Sequence, residues 1–517
     1  MSIQISDKTQ EPSAADITTD DEQQAGESET PGKSSGAGKI GGNILSLGSG
    51  EIIARAVAFF GVTYAARLLG PEQFGIIGFA AALFGYLSLT VTAGFGDIGS
   101  REVARRPREA SSIAASVVAI KLIIAFIALI AIAVTAWFLN KPPTVKLVLL
   151  LMGLLFFPLA LDTSWVYKGL ERNRPVAFAL IIGQVLYAGA IFLTMNESSD
   201  VAFVPLAQFF GEICAALILA LPLFYLKKIK LDLRDGFRIL RSSGFWAVSR
   251  LLRTAMYTFD VVLIGFLLGE QAVGLYTAPY RICFLLVALA VAVYVPYLPI
   301  ITRAATLDST LSEVGIIAER SLNFAAAVAA PLVVGGIIVA APLLIAVFGN
   351  DYAAGSAPFQ FLILSIGFVF LHGAIHYIFL AVNRLKTATV IVAVAAAVNI
   401  GLNTLIIPRY GIVGAAFVTA VTEGLTLVLG LIVVNKIGVP FSLRPIWRPL
   451  LASLLMGAVL LLLGTDHGLI LQLAAGGGSY LLALILLRGI PPDVRLFFTH
   501  RRLLTISAKN SNLTDAL

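Results

Sequence analysis

The sequence predicts an all-α polytopic membrane protein of about 14 transmembrane helices: two parallel six-helix lobes (helices 1–6 and 7–12), then two C-terminal helices. Three observations predict it. The 517 residues are 58% hydrophobic and 13% charged, with a mean hydropathy of +0.90, whereas a soluble domain is about half apolar and a quarter charged. A soluble core of this size cannot hide so much apolar surface. The apolar runs are long enough for helices that span a bilayer, and they do not alternate over about ten residues as barrel strands would. Finally, one short loop is written twice: "LLGPEQFG" at 68–75 and "LLGEQAVG" at 267–274, 199 residues apart and each between two long apolar runs.

Residues 1–42 hold almost no large apolar residue and more Asp and Glu than Lys. They read as a disordered cytoplasmic tail, without the basic start and apolar core of a signal peptide. From Asn43 the spans fall at about 44–69, 74–96, 113–139, 147–167, 176–195, 203–226, 246–268, 275–300, 321–348, 358–382, 387–407, 412–435, 449–465 and 469–487. The expected parts are an N-lobe at 43–230, a cytoplasmic interlobe linker at 231–245 and a C-lobe at 246–435. Helices 13 and 14 with their loop occupy 436–487, and a basic cytoplasmic tail occupies 488–517.

Lys and Arg in short loops set the orientation. Loops after even-numbered helices are basic, as in "DIGSREVARRPREASS" and "KKIKLDLRDGFRILRSSGF", while those after odd-numbered helices carry only Lys141, Lys146 and Arg409. Both termini are therefore expected in the cytoplasm. The outer loops are too short to hold a folded domain. Cys214 and Cys283 sit in separate apolar spans, which argues against a disulfide framework or a thiolate metal site.

If the six-helix unit is repeated, other landmarks recur at a similar offset. Asn173-Arg174 and Asn383-Arg384 follow helices 4 and 10, 210 residues apart, and Glu212 and Glu423 lie within helices 6 and 12, 211 apart. Six is an even number, so the halves share an orientation, as in a repeat about an axis along the membrane normal.

Together "ARLLGPEQFGIIGFA", "GFGDIGSREVARR", "DTSWVYKGLERNRP", "FDVVLIGFLLGEQAVGLYTAPYRI" and "NIGLNTLIIPRYGIVGAAFVTAVTEG" resemble the polysaccharide transporter family. These are O-antigen-type flippases of the multidrug/oligosaccharidyl-lipid/polysaccharide superfamily, and the likeness covers about residues 43–490. The resemblance implies a central cavity between the lobes, peripheral helices 13 and 14, and alternating access. It implies a lipid-linked oligosaccharide as substrate, moved from the cytoplasmic to the outer face of a bacterial inner or archaeal cell membrane. Membrane lipids, a glycan polymerase and other assembly proteins are the implied partners, with no nucleic acid.

Charged groups within spans are costly unless they face a cavity or find partners, so they are the candidates. Arg55 and Lys121 lie about 12–14 Å from the cytoplasmic end at 1.5 Å per residue. Arg250 and Arg253 are shallower and share a helix face. If the cavity is where the family places it, these four cations are expected to capture the phosphate-bearing headgroup, since guanidinium matches phosphate with paired donors. Equally, Arg250 and Arg253 fit snorkelling to lipid phosphates, and Lys121 fits a pair with Asp162. Asp260 and Arg281, at similar depth on adjacent helices, suggest a structural ion pair. Glu212 and Glu423 fall near mid-membrane, where a carboxyl group can bind a proton or Na⁺; they are candidates for coupling to an ion gradient, with interhelix hydrogen bonding the plainer role. The latter also suits Asn399 and Asn403.

No cofactor is expected. His372 and His376 have metal-ligand spacing, but position 373 is Gly and no third ligand is near, so no metal is expected either. No P-loop is present, and "AAGGGSY" opens no nucleotide fold. A cation-coupled multidrug exporter of the same superfamily is the nearest alternative. A membrane glycan polymerase or ligase would need a larger outer loop or a conspicuous His or Asp cluster. No enzymatic activity is expected.

Overall fold

The computed structural model describes residues 34–92, 95–225, 229–242, 244–307, 311–464 and 467–493. Of the tail expected to be disordered at 1–42, residues 1–33 fall outside the described residues, while 34–42 are helical, a difference from the expectation; of the basic tail at 488–517, residues from 494 fall outside them. The chain divides into Met1–Gly42 and Asn43–Leu517; the fold is that of the second part.

Among the described residues all regular structure is helical. The N-terminal half runs through α1 (Ser34–Thr92), α2 (Phe95–Arg105), α3 (Ala110–Phe138), α4 (Pro143–Gly153), α5 (Phe156–Leu161), α6 (Ser164–Gly169), α7 (Asn173–Thr194) and α8 (Phe203–Tyr225). Next comes α9 (Leu233–Ser242), followed by α10 (Gly244–Leu267), α11 (Glu270–Tyr294), α12 (Leu298–Leu307), α13 (Ser312–Ile338), α14 (Ala340–Phe348), α15 (Ser356–Ala381) and α16 (Leu385–Lys436). The last two are α17 (Trp447–Leu463) and α18 (Leu469–Leu486). Among the described residues, 11 segments are long and apolar enough to cross a membrane. Two of them, in α1 and α16, each join two helices across a kink, at Gly70 (φ 71°, ψ 173°) and Gly411 (φ 59°, ψ −145°).

The sequence differs from the structure at two kinds of place. The span expected at 147–167 is broken into α4, α5 and α6. Asp162 turns the chain there: its carboxylate accepts from the Ser164 backbone N–H at 2.9 Å and hydroxyl at 3.0 Å. The loops expected at 97–112 and 227–245 hold short amphipathic helices. In α2, Phe95 and Val103 are buried while Arg101 and Arg105 are exposed. The α9 helix docks onto α3 at Gly236, where an added Cβ would lie 2.8 Å from the Ser116 carbonyl oxygen.

The core explains how the lobes are joined. One cluster runs through both halves, from Ala65 and Phe79 through Ile132 and Tyr187 to Tyr276, Tyr352 and Phe370. Toward the basic loops it gives way to two separate clusters. One belongs to the N-lobe, around Phe95, Ile113 and Trp165. The other belongs to the C-lobe, around Ile301, Val314 and Phe379. The lobes thus share a core at the end away from the basic loops and divide toward the basic-loop end.

The duplicated loop makes that joint. Gly70 and Gly269, 199 residues apart, both have positive φ, a conformation that costs a residue with a Cβ about 1–3 kcal/mol. A Cβ on Gly75 would lie 1.8 Å from the carbonyl oxygen of Glu270, and a Cβ on Gly274 would lie 1.7 Å from that of Pro71. Glu270 is the repeat equivalent of Pro71, so the contacts are reciprocal, as a two-fold relation requires. Gly78 meets its own repeat equivalent, Thr277, at 2.8 Å from the added Cβ to Oγ1. The glycines are present because the two backbones touch.

Candidate functional site

Charged groups reinforce the joint at its far end. Lys141 Nζ pairs with Glu270 Oε1 at 2.8 Å and donates to the Gly265 carbonyl at 2.6 Å, with the Phe79 ring 5.4 Å away. Arg67 donates to the Val347 carbonyl at 2.6 Å and to that of Ala346. These are the last carbonyls of α14, where a cation complements the helix dipole. The Tyr352 hydroxyl donates to the Ala66 carbonyl at 2.8 Å. Apart from the Lys141–Phe79 ring contact, each of these contacts links an N-lobe residue to a C-lobe residue.

A cavity of about 220 Å³ lies among α10, α11, α15 and α16 of the C-lobe, lined by Arg253, Tyr257, Tyr294, His372, His376 and Thr426 among others. Beside it His372 Nε2 meets Glu423 Oε2 at 2.8 Å. Glu423 is 1% exposed, and the Tyr257 hydroxyl is its second side-chain neighbour. Gly373 admits the Tyr294 ring, which a Cβ there would approach to 2.3 Å. His372 and His376 are therefore polar wall residues of this cavity, and His372 spends Nε2 on a carboxylate.

The four cations expected to converge do not share this cavity. Only Arg253 lines it. Arg250 is exposed one turn earlier on the same helix. Arg55 is half-exposed and pairs with Glu51 at 3.1 Å. The expectation fails for Lys121, which is 3% exposed, inside the N-lobe. Its Nζ donates to the Asp162 backbone carbonyl at 3.4 Å; the Asp162 carboxylate is occupied by Ser164.

A second correction concerns Asp260 and Arg281, which form no ion pair. Asp260 is fully buried, and its carboxylate accepts from the Val261 N–H at 2.8 Å and from the Tyr276 hydroxyl. Those donors serve it without a cation. Arg281 is half-buried and makes no ion pair among the described residues. Its electrostatic partner is Tyr187 of α7, in the other lobe, and Tyr187 also senses Glu212. Arg281 is thus a half-buried cation within a span, within electrostatic reach of the other lobe. Glu212 accepts from Gln208 Nε2 at 2.8 Å. Asn403 donates to Asn399 at 2.9 Å, and Asn399 to the Thr422 hydroxyl at 3.1 Å, so these amides tie the two halves of α16 together.

A family model described as polysaccharide biosynthesis protein matches residues 40–304, just over half of the chain. The chain belongs to that family. The family motifs read in the sequence pointed to the same group. Among the chain's relatives, an Escherichia coli (strain K12) protein named for O-antigen transport is 27% identical over 227 residues. That match spans 42% of this chain and 53% of the relative, about half its length. A Haloferax volcanii protein named as a low-salt glycan biosynthesis flippase is 24% identical over 430 residues, 80% of this chain and 88% of the other. The solved structure of lipid II flippase MurJ in an inward closed conformation matches with a TM-score of 0.69 at 17% identity, covering 86% of this chain and 99% of that one. At such identity the likeness shows the fold alone.

Proposed function

We propose that the chain is a flippase moving a polyprenyl-phosphate-linked oligosaccharide, such as an O-antigen, capsule or exopolysaccharide repeat unit, to the outer face of the plasma membrane. The names of its relatives support the class of substrate. In this reading the chain crosses about 14 times, both termini are cytoplasmic, and the basic-loop end faces the cytoplasm. A polymerase and other assembly proteins act beside it, and no bound cofactor is used. Transport proceeds by alternating access: the shared core and the far-end joint open while the divided end closes.

The observation that carries the reading is Arg281, a half-buried cation within a span that makes no ion pair among the described residues. A phosphate or pyrophosphate headgroup supplies the missing anion, and a guanidinium binds it with paired donors. Arg55, Arg250 and Arg253 attract the same headgroup earlier, toward the basic-loop end. Coupling to a proton or Na⁺ gradient acts through Glu423 with His372, and Glu212 is the N-lobe counterpart.

Surface glycan measured against protein amount tests this. One charge-assisted hydrogen bond contributes about 1.5–3 kcal/mol, so Arg281→Ala should lower transport per molecule roughly 10- to 150-fold. Arg281→Lys should lower it less. Full transport per molecule in Arg281→Glu would overturn the capture site.

A further inference from the structure

The helices outside the two lobes carry a second polar cavity. It has a volume of about 590 Å³ and lies where α17 meets α13, lined by Glu319, Asn323, Ser442, Arg444, Trp447 and Arg448. The wall is anchored by backbone. The Ser442 N–H donates to Glu319 Oε1 at 2.7 Å, the Arg444 N–H to the Ser442 hydroxyl at 3.1 Å. Pro440 packs so closely on α13 that a Cβ on Gly315 would lie 2.0 Å from its carbonyl oxygen. The turn carrying Arg444 is therefore held on α13, which keeps the cavity open beside it.

Its charge is positive. Arg444 forms no ion pair among the described residues, and Arg448 uses one donor on the Arg488 carbonyl at 3.1 Å. Against these two cations stands one carboxylate, Glu319, with one oxygen already engaged. The Arg448 guanidinium sits 5.3 Å over the Trp447 ring, which orients it by cation–π attraction. The Asn323 Oδ1 atom is buried without a hydrogen-bond partner.

The cavity also has an apolar approach. Trp447 is 53% exposed, and Leu450 and Leu454 are exposed in turn. At positions 447, 450 and 454 they lie on one face of α17. An exposed Trp at the start of an apolar helix marks the headgroup level of a bilayer, and basic pockets between spanning helices at that level hold lipid phosphates. A ligand here meets two guanidinium groups at its head and a leucine face along its tail.

We propose that Arg444 and Arg448 form a binding site for a phosphate-bearing lipid, with the phosphate in this cavity and the hydrocarbon chain along Leu450 and Leu454. The site lies on other helices than Arg281 and does not depend on the transport reading. The same chemistry is offered by a polyprenyl phosphate and by an anionic phospholipid of the surrounding leaflet.

The full chain, purified in a non-ionic detergent, is titrated with a fluorescent-tailed phosphatidylglycerol, and binding is followed by anisotropy. Saturable binding should be displaced by undecaprenyl phosphate and by phosphatidylglycerol, not by diacylglycerol, and should weaken as salt rises. The Arg444→Gln/Arg448→Gln double variant should bind about tenfold or more weakly. Displacement by undecaprenyl phosphate at a tenth or less of the phosphatidylglycerol concentration identifies a carrier-lipid site; equal displacement identifies a leaflet-lipid site. Unchanged binding in the double variant overturns the proposal. Should that variant fold poorly, the unmutated protein decides it: displacement by diacylglycerol, or binding indifferent to salt, overturns the proposal equally.

Discussion

At the scale of single residues, a charged group in a span is settled by whatever satisfies it. Lys121 takes a backbone carbonyl, and Asp260 takes a tyrosine hydroxyl and an amide. The pair His372–Glu423 is different because His372 engages one carboxylate oxygen and leaves the second, with the Tyr257 hydroxyl as a neighbour of the carboxylate. That oxygen can accept a proton or contribute to holding a cation, so the pair is the residue-scale candidate for coupling. Glu423→Gln keeps the shape and removes the charge. Transport by this variant should lose its response to an imposed proton or Na⁺ gradient, measured as surface glycan per molecule with and without the gradient. A full response in the variant would make the pair structural. Glu423→Ala should in addition destabilise the fold by about 1–3 kcal/mol, because His372 is left unpaired in a partly buried site; thermal unfolding in detergent reads that loss. The sequence showed these residues and their depth but not their partners. Rise along a helix gives height in the membrane, while the partner depends on rotation about the axis and on which helices are neighbours. Hence Asp260 and Arg281, matched in height, do not pair, and His372 and Glu423, 51 residues apart, do.

At the scale of elements, the span positions were legible because apolar runs and breaker residues are local signals. The expected span at 203–226 is α8 (Phe203–Tyr225), and that at 469–487 is α18 (Leu469–Leu486). The break at Asp162 was hidden, because a turn made by one carboxylate scarcely interrupts an apolar run. The amphipathic helices α2 and α9 were hidden by their charge, which read as loop. The duplicated glycines were visible as a motif, and the structure supplies their reason: two backbones in contact at a two-fold joint. Gly75→Ala or Gly274→Ala would place a methyl group within 2 Å of the opposing carbonyl, so the far-end joint should loosen. A cysteine pair at Phe74 and Tyr352, whose rings lie 6.4 Å apart, reports the joint through the yield of a short thiol-reactive crosslinker. Cys214 and Cys283 are first replaced by Ser. Crosslinking should fall in either glycine variant. An unchanged yield would mean that the backbones can part without opening the joint.

At the scale of the whole molecule, the shared core and the split core define one state of a two-lobed machine. In the proposed cycle, the far-end contacts must break for substrate to leave, so they should be strong enough to hold and weak enough to release. Two classes of contact meet that need. Apolar packing about the repeated loop is broad and non-directional, whereas the Lys141–Glu270 pair is short and specific at 2.8 Å, with side chains only 13% and 18% exposed. A pair so shielded exceeds the roughly 0–1 kcal/mol of an exposed ion pair, yet it is not so buried that its partners are locked. Lys141→Met and Glu270→Gln each remove one charge, and each should lower the Phe74–Tyr352 crosslinking yield. If the two residues act together, the double variant should lose little more than either single variant. Their interaction energy from the cycle should then be about 1–3 kcal/mol. Lys141 also holds the Gly265 carbonyl, so its single variant should be the more severe. Strictly additive losses would show that the joint is held by the packed loops alone, with the ion pair a passenger.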